Sequence, residues 1–223
     1  MKPLFAIAAL TLIAAAPANW ANRARQLPSG AIVLGNPAAK VKFVEYLSFS
    51  CSHCAEFTAE AKVPLKRDYV AKGNVSVEVR NAVRDRYDFT ASLLARCGGP
   101  SRFFGNSEAI MASQSVWLGK AEAFDTANKE KMAKLPIDQT LPMIMRGVGL
   151  DAVMKARGFT PAQMNACLIS KPDQKVIVAM TSEAWNVRKI SGTPAFMINE
   201  KPFSAAGHWS AVEPEIKSAL VAQ

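Results

Sequence analysis

Histidine is nearly absent from the 223-residue chain: His53 and His208 are the only two. Cysteine is scarce as well, with four positions, Cys51, Cys54, Cys97 and Cys167. A structural zinc site takes two Cys/His pairs at set spacing. Only one close pair exists here, so no metal and no other cofactor is expected. Covalent haem needs a histidine directly after the second cysteine of a C-x-x-C pair, and Ala55 stands there. Long basic runs are also missing. Lys and Arg never exceed two in succession, as at Lys66-Arg67, although the net charge is +9. Scattered charge of this kind suits solubility and attraction to acidic surfaces, and no nucleic-acid partner is expected. No internal repeat or low-complexity linker breaks the chain. Its length and its 50% hydrophobic content suit one core with room for an inserted subdomain.

The one long apolar run is N-terminal. Leu4 to Ala16 is continuous over 13 residues, follows Lys2 and leads into the small-x-small sequence Ala16-Pro17-Ala18. It is shorter than the ~20 residues a bilayer span needs. Residues 1–18 therefore read as a cleavable secretory signal, with a membrane anchor as the alternative. Export implies an oxidising compartment, the periplasm if the source is a Gram-negative bacterium.

Beyond the signal, Ala31 to Leu34 reads as a short strand ended by Gly35-Asn36-Pro37. Val41 to Leu47 reads as a second strand, with Lys42 and Tyr46 outward on one phase and Glu45 on the other. Phe57, Ala61, Leu65 and Tyr69 recur every four residues, which predicts an amphipathic helix that Pro64 should kink. Val75, Val77 and Val79 alternate with polar residues, a strand with one buried face. From Asp88 to about Ile190 only helical patterns occur. Pro136 to Gly149 is less regular, and Thr160-Pro161-Ala162-Gln163 is a capping box. Ser170 opens a long helix with Val176, Met180, Ala184 and Val187 on one face. Ala195 to Ile198 is a strand, Asn199-Glu200 a turn, and Pro202-Phe203 a returning strand. Val212, Ile216 and Leu220 mark a closing helix. The pattern predicts a split α/β unit, 19–87 and 188–223, around a helical block at 88–187.

Cys51-Ser52-His53-Cys54 falls where the second strand gives way to a helix. Free N–H groups and the positive end of the helix dipole favour a thiolate at the first cysteine. Cys54, one turn on and more buried, is placed to resolve a mixed disulfide. His53 can further stabilise the Cys51 thiolate, which makes the disulfide more oxidising. A purely structural disulfide is the plainer alternative. Cys97 and Cys167 would close a loop of about 70 residues if bonded, worth ~4 kcal/mol of loop-closure entropy. The compartment favours that bond over two separate buried thiols.

Other residues take their meaning from this motif. Thr193-Pro194 precedes the late strand, and X–Pro bonds are the ones that can be cis. A cis-proline beside a dithiol leaves the backbone of Thr193 open to pair with a substrate chain. Glu45, six residues before Cys51, reads either as an acid beneath Cys54 that takes its proton or as a solvated strand charge. His208 and Trp209 read as a helix start and its packing.

The stretch from Val41 to Cys54, the helical insertion and Gly192-Thr193-Pro194-Ala195-Phe196 together resemble the DsbA family of periplasmic disulfide oxidoreductases, over nearly the whole mature chain. The resemblance implies a thioredoxin-like fold with a helical insertion. It implies Cys51 as nucleophile, Cys54 as resolving thiol, His53 as tuner, Glu45 as buried acid and Pro194 as a cis-proline with Thr193 facing substrate. It also implies a low thiol pKa and an oxidising disulfide, and an additional Cys97–Cys167 bond found in one branch of the family. Three positions depart from the prototype. Ser52 stands for proline and Thr193 for valine, which bears on redox poise and substrate release. Asn199-Glu200 replaces the easier Asn-Gly, because glutamate disfavours the left-handed region. A longer or looser loop is expected there.

The expected function is a monomeric dithiol oxidase of reduced exported polypeptides, reoxidised by a membrane partner of the DsbB type. Two alternatives stay open. One is a reductase or isomerase of the same class. Isomerases there usually carry an N-terminal dimerisation domain, and only about twenty mature residues precede Val41. Reductases would show Gly-Pro between the cysteines. The other is a peptide-binding, chaperone-like module with an idle disulfide, for which Met143, Met145, Met154 and Met164 would supply adaptable contacts or simply core filling.

Overall fold

The computed structural model of the protein describes residues 19–222, so the expected signal segment lies outside the described residues. Six strands form one sheet: β1 (Ala24–Gln26), β2 (Ile32–Leu34), β3 (Val41–Leu47), β4 (Val75–Asn81), β5 (Ala195–Ile198) and β6 (Lys201–Phe203), in the order β1-β2-β4-β3-β5-β6. β3 runs parallel to β4 and antiparallel to β5. That parallel pair requires a crossover, and α1 (Ser52–Pro64) supplies it. Pro64 does not stop the helix, which widens into a π-helical turn over Leu65–Val70. β1 has no counterpart in the sequence reading. Its three residues, Ala-Arg-Gln, sit at the sheet edge and carry no apolar alternation.

The expectation that β3 has an outward face is corrected for Tyr46. β3 has a neighbour on each side and is covered on both faces. Phe43 packs with Phe57, Val212 and Ile216. Val44 and Tyr46 pack with Ala184 and Met197 on the opposite face. Only Lys42, near the strand's start, is exposed. A central strand buried on both sides reads as a nearly continuous apolar run, so alternation alone misassigns Tyr46.

Seven helices lie between β4 and β5: α2 (Arg86–Ala95), α3 (Pro100–Ala112), α4 (Gln114–Ala133), α5 (Ile137–Val148), α6 (Leu150–Ala156), α7 (Pro161–Leu168) and α8 (Lys171–Ser182). The Thr160/Gln163 capping box is formed in both directions. The less regular stretch is helical despite Pro142, because Leu141, Ile144, Met145 and Val148 make one buried stripe. Met145, Met154 and Met164 are buried in the same core, which is the core-filling reading of the methionines. The face expected after Ser170 is corrected at its end. A π turn over Glu183–Val187 rotates the helix, so Ala184 is buried and Val187 is 71% exposed. Cys97 and Cys167 are disulfide-bonded, with Cα atoms 5.6 Å apart.

The turn between β5 and β6 is not longer or looser than usual. It has two residues, Asn199 at φ 50° and Glu200 at φ 64°, the pair of positive angles that a tight hairpin needs. Contacts hold glutamate in this disfavoured region. Glu200 pairs with Arg80 at 2.8 Å and with Arg188 at 2.7 Å, while the Lys42 N–H donates to Asn199 Oδ1 at 2.8 Å. The chain closes with α9 (Trp209–Val221), its Val212 and Ile216 buried as the spacing requires.

Candidate active site

β3 ends at Leu47, and Ser48-Phe49-Ser50 lead into Cys51, the N-cap of α1. This loop is braced by the helical block. Asp88 on α2 is fully buried; its Oδ1 accepts from the Phe49 N–H at 2.8 Å and its Oδ2 from the Ser48 hydroxyl at 2.6 Å. Burial pushes the Asp88 carboxyl up to about 7. From α4, the Gln114 amide donates to the carbonyls of Phe49 at 2.7 Å and Cys51 at 2.8 Å. Sequence reading missed both residues. Asp85-x-x-Asp88 carried a signal only as a helix start, and Asp85 does cap α2.

The two cysteines, present as free thiols, have opposite environments. A hydrogen bond from Cys54, outweighing the cost of burial, brings the Cys51 thiol down to about 5, helped by Thr193 and by the N–H groups of Cys54 and His53. Thr193 acts in two senses. In the thiol form Cys51 Sγ donates to the Thr193 carbonyl at 3.0 Å, which favours the proton. The Thr193 hydroxyl is buried with no hydrogen-bond partner of its own, and its side chain favours the Cys51 thiolate. Cys54 is fully buried, and burial first, then the bond to Cys51 and the charge of Glu45, pushes its thiol well above its ordinary value. One sulfur ionises readily and the other holds its proton, an arrangement suited to stepwise thiol–disulfide exchange. His53 is exposed and reaches the sulfur through its backbone N–H.

Thr193-Pro194 is a cis peptide and stands directly against Cys51. His208 does not belong to this cluster. Its Nδ1 lies 3.0 Å from Glu60, whose other oxygen accepts from the Trp209 N–H at 2.8 Å and so caps α9. Cys97 and Cys167 likewise form a separate bond within the helical block.

Glu45 is 6% exposed, so it is not a solvated strand charge. Its Oε1 has no partner, and it borders a cavity of about 60 Å³ shared with Phe57, Ala61 and Phe103. Burial, with a smaller contribution from charge on Cys51, raises its carboxyl to about 8. An acid raised in the folded state contributes stability that is full below its unfolded value near 4.5 and is lost as pH rises through about 8. Between pH 5 and 7 that loss is about 2–3 kcal/mol. Glu45→Gln should remove this slope. Denaturant unfolding of the Cys51–Cys54 oxidised protein, in which Cys51 no longer titrates, should show wild type weakening across this window more steeply than the variant, because the raised Asp88 carboxyl slopes both profiles alike and only wild type adds the Glu45 contribution. Parallel profiles would contradict a raised Glu45.

A family model described as thioredoxin matches residues 28–218. The crystal structure of a protein-disulfide isomerase from Novosphingobium aromaticivorans is similar, with 35% identity, a TM-score of 0.79, and coverage of 86% of this chain and 97% of that one. Alpha-DsbA1 of Wolbachia pipientis shares the fold at 20% identity and a TM-score of 0.69, over 88% of this chain and 93% of its own. A Rickettsia bellii protein, provisionally named a protein-disulfide oxidoreductase, is 27% identical over 168 residues, 75% of this chain and 56% of that protein. The chain spans about half the length of the curated relatives it matches. The observed sheet, with helices between β4 and β5, is the thioredoxin-like fold with a helical insertion that the sequence led us to expect. On the strength of a family match running from before β2 into α9, the chain belongs to the thioredoxin family, and its architecture is DsbA-like.

Proposed function

We propose that the protein is a thiol–disulfide oxidoreductase that works as a dithiol oxidase on reduced exported polypeptides. The observation that carries this reading is the asymmetry of the pair, Cys51 down to about 5 and Cys54 pushed up. A stabilised Cys51 thiolate favours the reduced enzyme, so the disulfide is a strong oxidant. A substrate thiolate attacks Cys51 Sγ and the Cys51–Cys54 bond breaks. Cys54 leaves as a thiolate and takes a proton, for which Glu45, protonated at neutral pH, is the nearby donor. A second substrate thiolate then attacks the substrate sulfur of the mixed disulfide and releases Cys51 as a thiolate. Two electrons pass from substrate to enzyme. Thr193, beside the cis-proline, offers its backbone to the substrate chain, and His53 tunes the thiolate. In this reading the protein acts as a monomer in the periplasm, and a membrane partner of the DsbB type reoxidises it.

The Novosphingobium relative is named an isomerase, which keeps that second activity in view. Two assays separate them. Oxidised enzyme incubated with a reduced two-cysteine peptide should convert it to the disulfide stoichiometrically. Reduced enzyme should restore scrambled ribonuclease poorly. Failure of the first with success of the second would replace oxidase by isomerase.

A further inference from the structure

The Cys51 sulfur opens on a cleft of about 570 Å³ between residues 50–53 on one side and 191–193 on the other. Two further side chains line it, Arg84 and Trp185, and neither belongs to the exchange chemistry described above. Arg84 is exposed, and its side chain makes no hydrogen bond or ion pair among the described residues; only its backbone N–H is engaged, by Asp88 at 3.0 Å. The nearest acid in sequence, Asp85, is already committed. Its oxygens accept from the Ser50 hydroxyl at 2.6 Å and from the N–H groups of Tyr87 and Asp88 at 2.8 Å each. Trp185 is held in place by its indole N–H, which donates to the Val83 carbonyl at 3.2 Å. No carboxylate lines the cleft, so Arg84 is its one permanent charge.

We propose that Arg84 and Trp185 form a specificity subsite that favours reduced substrates carrying an acidic side chain within one or two residues of the attacking cysteine. The proposal rests on the oxidase reading above. A guanidinium with free donors beside the reacting sulfur matches a carboxylate in charge and in hydrogen-bond geometry. The fixed indole gives the neighbouring part of the peptide a flat apolar surface that costs little ordering. The site is open to solvent, so the effect has the size of an exposed ion pair, about three- to fivefold in rate.

The test compares three reduced two-cysteine peptides that differ only beside the first cysteine, with Asp, Ser or Lys there. With oxidised wild-type enzyme at low salt, the Asp peptide should react about three- to fivefold faster than the Lys peptide. The ratio should shrink towards one in 1 M salt. Arg84→Glu should invert the order. Arg146→Glu on α5 makes the same change in net charge outside the cleft, and should leave the order intact. A wild-type ratio of one overturns the subsite, as does an equal response to both substitutions, which would assign any preference to the overall charge. If no peptide is oxidised by wild type at all, the oxidase reading itself falls, and this inference with it.

Discussion

Replacing Cys51 by serine abolishes peptide oxidation, on the order of 10³-fold or more, down to the uncatalysed background. The hydroxyl would occupy the same N-cap at the start of α1, but it forms no disulfide and does not ionise at neutral pH. Cys54→Ser should behave differently. It leaves the ionised sulfur in place, so Cys51 still attacks the disulfide of an oxidised one-cysteine peptide dimer and expels one peptide thiol; without Cys54 to displace the other peptide, the mixed disulfide should accumulate on Cys51. Mass spectrometry reads both results, after incubation of the first variant with reduced peptide and of the reduced second variant with the disulfide-linked peptide dimer. Turnover by the Cys51→Ser variant would remove that residue from the mechanism, and a failure to trap would remove Cys54 as the resolving thiol.

The second large effect is on stability. Cys97 and Cys167 are bonded across 70 positions of sequence, and they tie the turn after α2 to α7. Loop closure of that length gives ~4 kcal/mol of stabilisation through the unfolded chain. In a protein of this size that corresponds to a fall of roughly 10 °C in Tm. Some of the junction survives without the bond. The buried Arg96 guanidinium pairs with Asp173 at 2.9 Å and donates to the Gly30 carbonyl at 3.0 Å. A Cys97→Ala/Cys167→Ala protein should therefore fold and keep its Cys51 chemistry while melting earlier. Thermal unfolding of both proteins, with Cys51–Cys54 oxidised in each, checks this. An unchanged Tm would mean that the unfolded chain is not constrained as the loop length requires.

The parts legible in the sequence share a physical basis. Cys51 and Cys54 announced themselves because exchange chemistry needs a short spacing at a helix start, which is local. The Thr160 cap was legible for the same reason. Glu45 was readable as present but not as buried, because its burial depends on helices packed over both faces of β3 from distant sequence. Asp88 and Gln114 were not readable at all. Each acts on a loop dozens of residues away, and nothing local distinguishes them from a cap and a surface amide. Arg84 and Trp185 meet at the cleft from opposite ends of the helical block for the same reason. Glu200 shows the converse. Local preference argued against a tight turn, and two arginines outside that turn, Arg80 and Arg188, override it.

Everything in this chemistry depends on the start of α1 holding Cys51 as a thiolate at neutral pH. The direct measurement is the pH dependence of Cys51 alkylation in the reduced, folded protein. The midpoint is the quantity to read, because a lower pKa also lowers the intrinsic nucleophilicity of the sulfur and partly cancels any gain in rate. The expected midpoint is about 5, with Cys54 silent until far higher pH. A midpoint near the ~8.5 of a free cysteine would contradict this, leaving Cys51-Ser52-His53-Cys54 as an ordinary dithiol whose reduced form gains nothing from a stabilised thiolate.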